Sequence, residues 1–181
     1  MKHFVLALVL LAGVQVSSAQ YKKARLQASG LTCAMCSNAI NKALQTLPFV
    51  EAIETDLNLS AFEIKFKGGQ QVDFDQIRRK VEGAGFSVAQ LDVWAQFDGM
   101  RVQNDRHLVW GNQALHFLNV KDQVLQGEQK FTLLDKNFVP AKDLKKYSSY
   151  TRKACYKTGV AENCCTADGI SPKARIFHVT I

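Results

Sequence analysis

The sequence predicts an α+β fold, in which a ferredoxin-like βαββαβ domain precedes a second, small, mainly β region. Between residues 23 and 93, apolar residues change from alternate spacing to spacings of three and four. These changes follow the order strand, helix, strand, strand, helix, strand. After residue 94, short β-branched and aromatic stretches between glycines predict further strands.

The first strand and the first helix follow from two different periodicities. Ala24, Leu26 and Ala28 alternate with polar residues up to Gly30, which is typical of a half-buried strand. A helix is predicted next, because apolar residues recur at spacings of three and four. These residues are Cys36, Ile40, Ala43, Leu44 and Leu47. Pro48 is expected to end this helix, since proline disfavours helical geometry in the residue before it.

A hairpin and a second helix complete the pattern. The hairpin strands carry alternating side chains on either side of Asn58, namely Ile53, Thr55, Leu57 and then Phe62, Ile64, Phe66. Asp73 is a candidate N-cap for a helix that buries Phe74, Ile77, Val81 and Ala84. Gly85 is expected to stop that helix, and Phe86 to Trp94 to return as a strand.

The first residues are typical of a secretory signal peptide. A basic start at Met1–His3 precedes an apolar stretch from Phe4 to Val16, and small residues follow at 17–19. The apolar stretch is too short to cross about 30 Å of hydrocarbon as a helix. We therefore expect a signal peptide at 1–19, a first domain at 20–94, a β-rich domain of unknown role at 95–181, and a periplasmic or secreted protein without a membrane span after cleavage.

The formal net charge of +7 is spread thinly along the chain. No set of aromatic residues accompanies the basic ones, so nucleic-acid binding is not expected. The sequence also contains no Ser-His-Asp set, paired-carboxylate motif, phosphate loop or nucleotide fingerprint. We therefore expect a protein that is not an enzyme.

The motif that carries chemistry is Gly30-Leu31-Thr32-Cys33-Ala34-Met35-Cys36, between the first strand and the first helix. Two intervening residues allow both sulfurs to converge on one ion. Sulfur ligands select Cu(I), Hg(II), Cd(II) or Zn(II) over ions that prefer oxygen. The start of a helix stabilises a thiolate through its unpaired N–H groups and its dipole. Cys33 and Cys36 are the predicted metal ligands.

This segment resembles the heavy-metal-associated family, which includes copper chaperones and the periplasmic mercury-binding protein. The resemblance covers roughly residues 22–94, with Leu31 where the family usually has methionine. It implies a Cu(I) chaperone or buffer that passes its ion by ligand exchange to a metal-transporting ATPase or another metal-accepting protein. It also implies that Phe86 lies near the metal loop, either as a shield for the ion or as a core aromatic. Met35 is expected to point to solvent.

Two alternatives remain for the same cysteines. Hg(II) capture is one, because Hg(II) and Cu(I) both accept linear coordination by two thiolates. Thiol-disulfide oxidoreductase activity is the other, because a Cys-x-x-Cys at a helix start is also the thioredoxin arrangement. Against it, the aromatic residue and prolines that typify the thioredoxin motif are missing around Cys33 and Cys36.

The second region is predicted to contain strands at 108–110, 114–120, 130–134 and 175–181, with a helix or an irregular edge at 144–156. Its cysteines are Cys155, Cys164 and Cys165. A disulfide between Cys155 and one of the other two, a second metal site, and free or intermolecular thiols all remain open. His107, His116 and His178 are interpreted as single surface or core histidines, because nothing in their spacing indicates a ligand set.

Overall fold

A computed structural model describes residues 20–31 and 34–181. The predicted signal peptide at 1–19 lies outside the described residues. The strands are β1 Gln20–Ser29, β2 Val50–Asp56, β3 Ala61–Phe66, β4 Ser87–Val102, β5 Arg106–Trp110, β6 Gln113–Phe117, β7 Gln123–Leu133 and β8 Ile176–Thr180. The helices are α1 Ala34–Gln45, α2 Phe74–Gly83, α3 Ala141–Tyr147, α4 Cys155–Thr158 and α5 Asn163–Thr166, with a short 3-10 helix at Ser148–Tyr150.

The first half has the predicted βαββαβ order, and its fold is ferredoxin-like. Strand β1 pairs antiparallel with both β3 and β4, and β2 pairs with β3. The apolar stripes of the two helices bury Ile40 and Leu44 of α1 and Ile77 and Val81 of α2. Burial of these side chains against the sheet is the main force that holds the layers together.

The predicted N-cap of α2 is confirmed. The Asp73 side chain accepts a hydrogen bond from the Gln76 backbone N–H at 3.0 Å. A carboxylate at this position also satisfies the positive end of the helix dipole. Helix α2 ends at Gly83, and Gly85 follows with φ +91°, a conformation that favours glycine.

Strand β4 is longer than the sequence predicts and runs through residues 94 and 95, where the boundary between the two regions was expected. Its buried face continues past that point with Ala95 and Phe97, which are 0% and 1% exposed. The sheet of the first half therefore does not end at Trp94. It extends into one eight-stranded sheet with the order β2-β3-β1-β4-β7-β8-β6-β5. Within that sheet, β6 and β8 are parallel.

One hydrophobic core spans both halves of the chain. Tyr21 of β1 makes edge contacts with Phe74 and with Trp110, at 5.1 Å between ring centroids in each case. Phe74 of α2 makes a similar contact with Phe177 of β8 at 5.2 Å. Aromatic pairs of this geometry each add about 1 kcal/mol beyond their burial. The second region is thus packed against the first.

The opposite face of β5, β6 and β8 has its own cover. Successive residues of a strand point to opposite faces of a sheet. Leu115 and Phe117 belong to the shared core, so Ala114 and His116 face the other side. A separate buried cluster there joins Ala114 and Ile176 to residues of α4, α5 and the following loop. The segment 144–156, predicted as a helix or an irregular edge, contains the end of α3, the short 3-10 helix and the start of α4.

Within the described part of the chain, none of the helices has the length and apolar character needed to span a membrane.

Candidate metal centres

The first candidate site lies where β1 passes into α1. Strand β1 ends at Ser29, Gly30 follows with φ +85°, and α1 begins at Ala34. Cys36 is the third residue of α1, so it lies in the first helical turn, and its side chain is half-buried. Cys33 lies outside the described residues, as does Thr32. That both sulfurs converge on one ion stays a prediction.

The surroundings of Cys36 agree with the expected roles of its neighbours. Met35 is 82% exposed and therefore points to solvent, as predicted. Leu31 and Phe86 are both partly buried and pack against the main core. A Cβ placed on Gly30 would lie 3.8 Å from Phe86 Cδ1, so the ring lies beside Gly30, where the loop with the Cys-x-x-Cys motif begins. Phe86 is thus a core aromatic that also borders the loop.

Two other loops lie at the same end of the sheet. Ser29 pairs with Ser87 at the start of β4, and the Ala28 N–H donates to the Ser60 carbonyl at 3.2 Å in the β2–β3 loop. That loop presents two apolar side chains to solvent, since Leu57 is 57% exposed and Leu59 is 55% exposed. With Met35, they make the end of the domain that carries Cys36 partly apolar.

The cysteines of the second region lie on two four-residue helices. Cys155 begins α4, and Cys164 and Cys165 lie within α5. The side chain of Cys164 lies outside what the structure describes. Cys155 and Cys165 are each 0% exposed. Their Sγ atoms approach one imidazole nitrogen, His107 Nε2, at 3.3 Å and 3.6 Å respectively.

His107, His116 and His178 are core histidines, one of the two placements expected, but they lie side by side and not singly. Sheet register places His107 opposite His116, and His116 opposite His178, so the three form one row across β5, β6 and β8. The His107 and His116 rings stack at 4.2 Å between centroids, and those of His116 and His178 lie 5.1 Å apart. All three side chains are 0% exposed.

Each histidine of the row has a carboxylate on one ring nitrogen. Asp168 lies 2.7 Å from His107 Nδ1, and Asp105 lies 2.9 Å from His116 Nε2. The third pair is Asp135 with His178 Nδ1, at 3.0 Å. Such a carboxylate fixes the ring orientation and leaves the other nitrogen to interact elsewhere.

Burial keeps two of these imidazoles neutral. It lowers the pKa of His107, although the hydrogen bond to Asp168 opposes the shift. It lowers the pKa of His116 to about 3, and the nearby His107 and His178 add to the shift. A neutral imidazole has a lone pair on one nitrogen, which is the form that binds metal ions.

One sequence signal would have paired two of the histidines. The two-residue turn at Gly111-Asn112 joins Trp110 and Gln113 as opposing residues. In such a hairpin, residues equally distant from the turn lie opposite each other. His107 and His116 are equally distant from this turn. With Cys155 they form a group whose ligand atoms all lie within 4.8 Å of one another.

The fold and the position of Cys36 define the class of small, ferredoxin-like metal-binding domains. Residues 25–87 match the family model of the heavy-metal-associated domain, and this segment is a domain of that family. The match lies within the first half of the chain and does not extend to the second region. A search of curated proteins finds no match.

Solved structures of similar domains align with about a third of the chain. The yeast copper transporter domain Ccc2a is 28% identical, covers 36% of this chain and 88% of its own, and has a TM-score of 0.33. The CopZ metallochaperone is 21% identical over 37% of this chain and 98% of its own, with a TM-score of 0.35. The N-terminal domain of ZntA is 18% identical over 38% and 89%, with a TM-score of 0.33.

Proposed function

We propose that this protein binds Cu(I) through Cys33 and Cys36 outside the cytoplasm and delivers it to another protein by ligand exchange. One observation carries the proposal. A heavy-metal-associated domain at residues 25–87 contains a Cys-x-x-Cys motif whose second cysteine lies in the first turn of α1. Two soft sulfur donors in that position favour thiophilic ions of low coordination number.

The position of Cys36 supports the thiolate form. The first N–H groups of a helix have no partner within the helix, and its dipole places partial positive charge at that end. Both effects favour a thiolate over a thiol, so protons compete less with the metal near neutral pH. A half-buried Cys36 beside an exposed Met35 leaves the bound ion accessible from solvent.

Accessibility is what transfer between proteins requires. A Cu(I) ion held by two thiolates accepts a third from an incoming protein, so the ion moves without being released to solvent. The exposed side chains of Met35, Leu57 and Leu59 lie at the same end as Cys36 and offer apolar surface for a transient contact. The proposed recipient is a metal-transporting ATPase or another metal-accepting protein.

The proposed location outside the cytoplasm, periplasmic or secreted, is supported by the basic and apolar pattern of residues 1–19. The proposed role is that of a carrier or buffer, not an enzyme.

The test is an anaerobic Cu(I) titration of the fully reduced chain against a competing chelator. The second-region thiols also attract Cu(I), so the comparison is made in a Cys155→Ser/Cys165→Ser background. We expect about one equivalent of tightly held Cu(I), lost when Cys33→Ser and Cys36→Ser are added. Met35→Leu is the matched control, because it changes the residue between the cysteines and removes no thiolate. Equal affinity with and without Cys33 and Cys36 would overturn the proposal.

Two further arms separate the alternatives. Competition between Cu(I) and Hg(II) for the same variant compares the two ions directly. If the variant binds Hg(II) tightly but does not bind Cu(I), the proposed function becomes Hg(II) capture. An insulin-reduction assay tests dithiol catalysis, and turnover that depends on Cys33 would contradict the carrier role.

A further inference from the structure

We propose that His107, His116, Cys155 and Cys165 form a second metal site, buried within the second region, that binds Zn(II) in tetrahedral coordination. This site is separate from the Cys33–Cys36 motif and does not depend on the function proposed for it. Two imidazoles and two thiolates are a donor set that zinc sites in proteins use.

The distances of both sulfurs from His107 fit tetrahedral coordination, and the ligand atom of His116 lies within 4.8 Å of those of His107 and Cys155. With Zn–S bonds of about 2.3 Å and Zn–N bonds of about 2.0 Å, neighbouring sulfur and nitrogen ligands lie roughly 3.5 Å apart. The observed separations from His107 Nε2 are 3.3 Å to Cys155 Sγ and 3.6 Å to Cys165 Sγ. A linear two-coordinate ion would hold a sulfur and a nitrogen about 4.3 Å apart.

The histidines are oriented as metal ligands usually are. His107 directs Nδ1 to Asp168 at 2.7 Å, and its Nε2 faces the sulfurs. His116 directs Nε2 to Asp105 at 2.9 Å, while its Nδ1 is buried without a hydrogen-bond partner among the described residues. A carboxylate on the outer nitrogen of a ligating imidazole is the common arrangement around zinc. An ion would satisfy the otherwise costly buried His116 Nδ1.

The proposed ligands lie on two kinds of element, sheet strands and very short helices, which a metal ion would hold together. His107 and His116 lie on paired strands of the sheet, whereas Cys155 and Cys165 lie on helices of only four residues each. Helices of one turn are not stable by themselves. A bound ion would join both helices to the sheet, so the inferred role of the zinc is to hold the segment from 151 to 170 in place.

Burial supports a retained ion over an exchanged one. All four side chains are 0% exposed. A closed site filled by four protein ligands leaves no position for water or substrate, which is typical of structural zinc. The site also lies on the sheet face opposite the shared core, where Leu115 and Phe117 flank His116 and point the other way.

The experiment uses the reduced full chain with Cys33→Ser/Cys36→Ser, so that the first motif contributes no thiolate. Zn(II) retained after gel filtration is counted, and Co(II) is then substituted as a spectroscopic probe. We expect about one equivalent of Zn(II) and a Co(II) spectrum of tetrahedral geometry with thiolate charge transfer. An octahedral spectrum, or no retained ion, would overturn the proposal. Both readings come from a chain whose second region is unaltered.

Ligand identity is tested with single substitutions. Cys155→Ser and Cys165→Ser should each remove one thiolate and reduce the charge-transfer intensity by about half. Cys164→Ser is the matched control and should leave the spectrum unchanged. The assignment is overturned if Cys165→Ser has no effect, or if mass spectrometry finds Cys155 or Cys165 in a disulfide in zinc-equilibrated protein.

Discussion

In the first half of the chain, Cys33 and Cys36 are separated by two residues in the sequence, and Cys36 lies in the first turn of α1, at an end of the domain with exposed apolar side chains. In the second half, four fully buried side chains come together from two strands and two short helices. Two cysteines close together in the sequence suit an ion that must be exchanged. A dispersed, buried set suits an ion that stays with the fold.

The largest expected effect is on the stability of the fold, and it distinguishes the two proposed metal sites. The proposed zinc ligands span 58 positions between His107 and Cys165, so an unfolded chain cannot reproduce the site. Zn(II) at a thousandfold excess over its dissociation constant should raise the free energy of unfolding by about 4 kcal/mol. The midpoint of thermal unfolding should then rise by roughly 8–16 °C. Differential scanning calorimetry with and without Zn(II) measures this shift.

Cu(I) at the first site should stabilise less for the same saturation. Cys33 and Cys36 remain close in the unfolded chain, which therefore also binds the ion and cancels part of the effect. Cys155→Ser/Cys165→Ser is the control: this double substitution should abolish the stabilisation by Zn(II) and leave the stabilisation by Cu(I) unchanged. A larger shift with Cu(I) than with Zn(II) would contradict this difference between the sites.

The next effect concerns the connection between the two regions. Arg175 donates to Asp75 of α2 at 2.8 Å and to Asp135 at 2.9 Å. Asp135 is 4% exposed, so removing Arg175 takes the guanidinium away from a buried carboxylate that keeps only its hydrogen bonds to His178 among the described side chains. Arg175→Ala should lower the free energy of unfolding by about 3 kcal/mol. The control is Lys65→Ala, whose exposed ion pair with Glu51 contributes at most about 1 kcal/mol.

The pH dependence of that loss checks its cause. Although burial opposes the shift, hydrogen bonding with His178 and the charge of Arg175 lower the pKa of Asp135. The stabilisation by its ionised form is present above the ordinary carboxyl pKa of about 4 and is lost as pH falls through the lowered value. The difference between wild type and Arg175→Ala should therefore be constant near neutral pH and shrink in acid. A difference that grows in acid would exclude Asp135 as the cause.

The smallest expected effect is on Zn(II) affinity, through the carboxylate that orients His107. Asp168→Asn weakens the hydrogen bond that orients His107, so Zn(II) affinity should fall by about 10- to 100-fold. Chelator competition measures the affinity, while Cu(I) binding by Cys33 and Cys36 should not change. Asp98→Asn, at an exposed position of β4, is the control for the lost negative charge. Equal effects of both substitutions would reduce the role of Asp168 to long-range electrostatics.

The first half was predictable because its information is local. The alternation of Ala24, Leu26 and Ala28 and the helical spacing of Ile40 and Leu44 were both confirmed by burial. The motif was equally visible in the sequence, since its two cysteines are separated by only two residues.

The second half was predictable in its strands but not in its ligand set. Four strands were expected near their observed positions, although β7 begins at Gln123 and not near Lys130, because its polar first half pairs with the extension of β4. His107 and His116 are linked by a hairpin, whereas their approach to Cys155 and Cys165 depends on how α4 and α5 return to the sheet.

By itself, the sequence determined the βαββαβ order and the position of the Cys-x-x-Cys motif, because hydrophobic periodicity and short-range spacing act within a few residues. Only the tertiary structure decided that β4 continues into one eight-stranded sheet and that three histidines align beside two cysteines. Those arrangements depend on strand register and on long chain connections, which bring together residues that no local pattern relates.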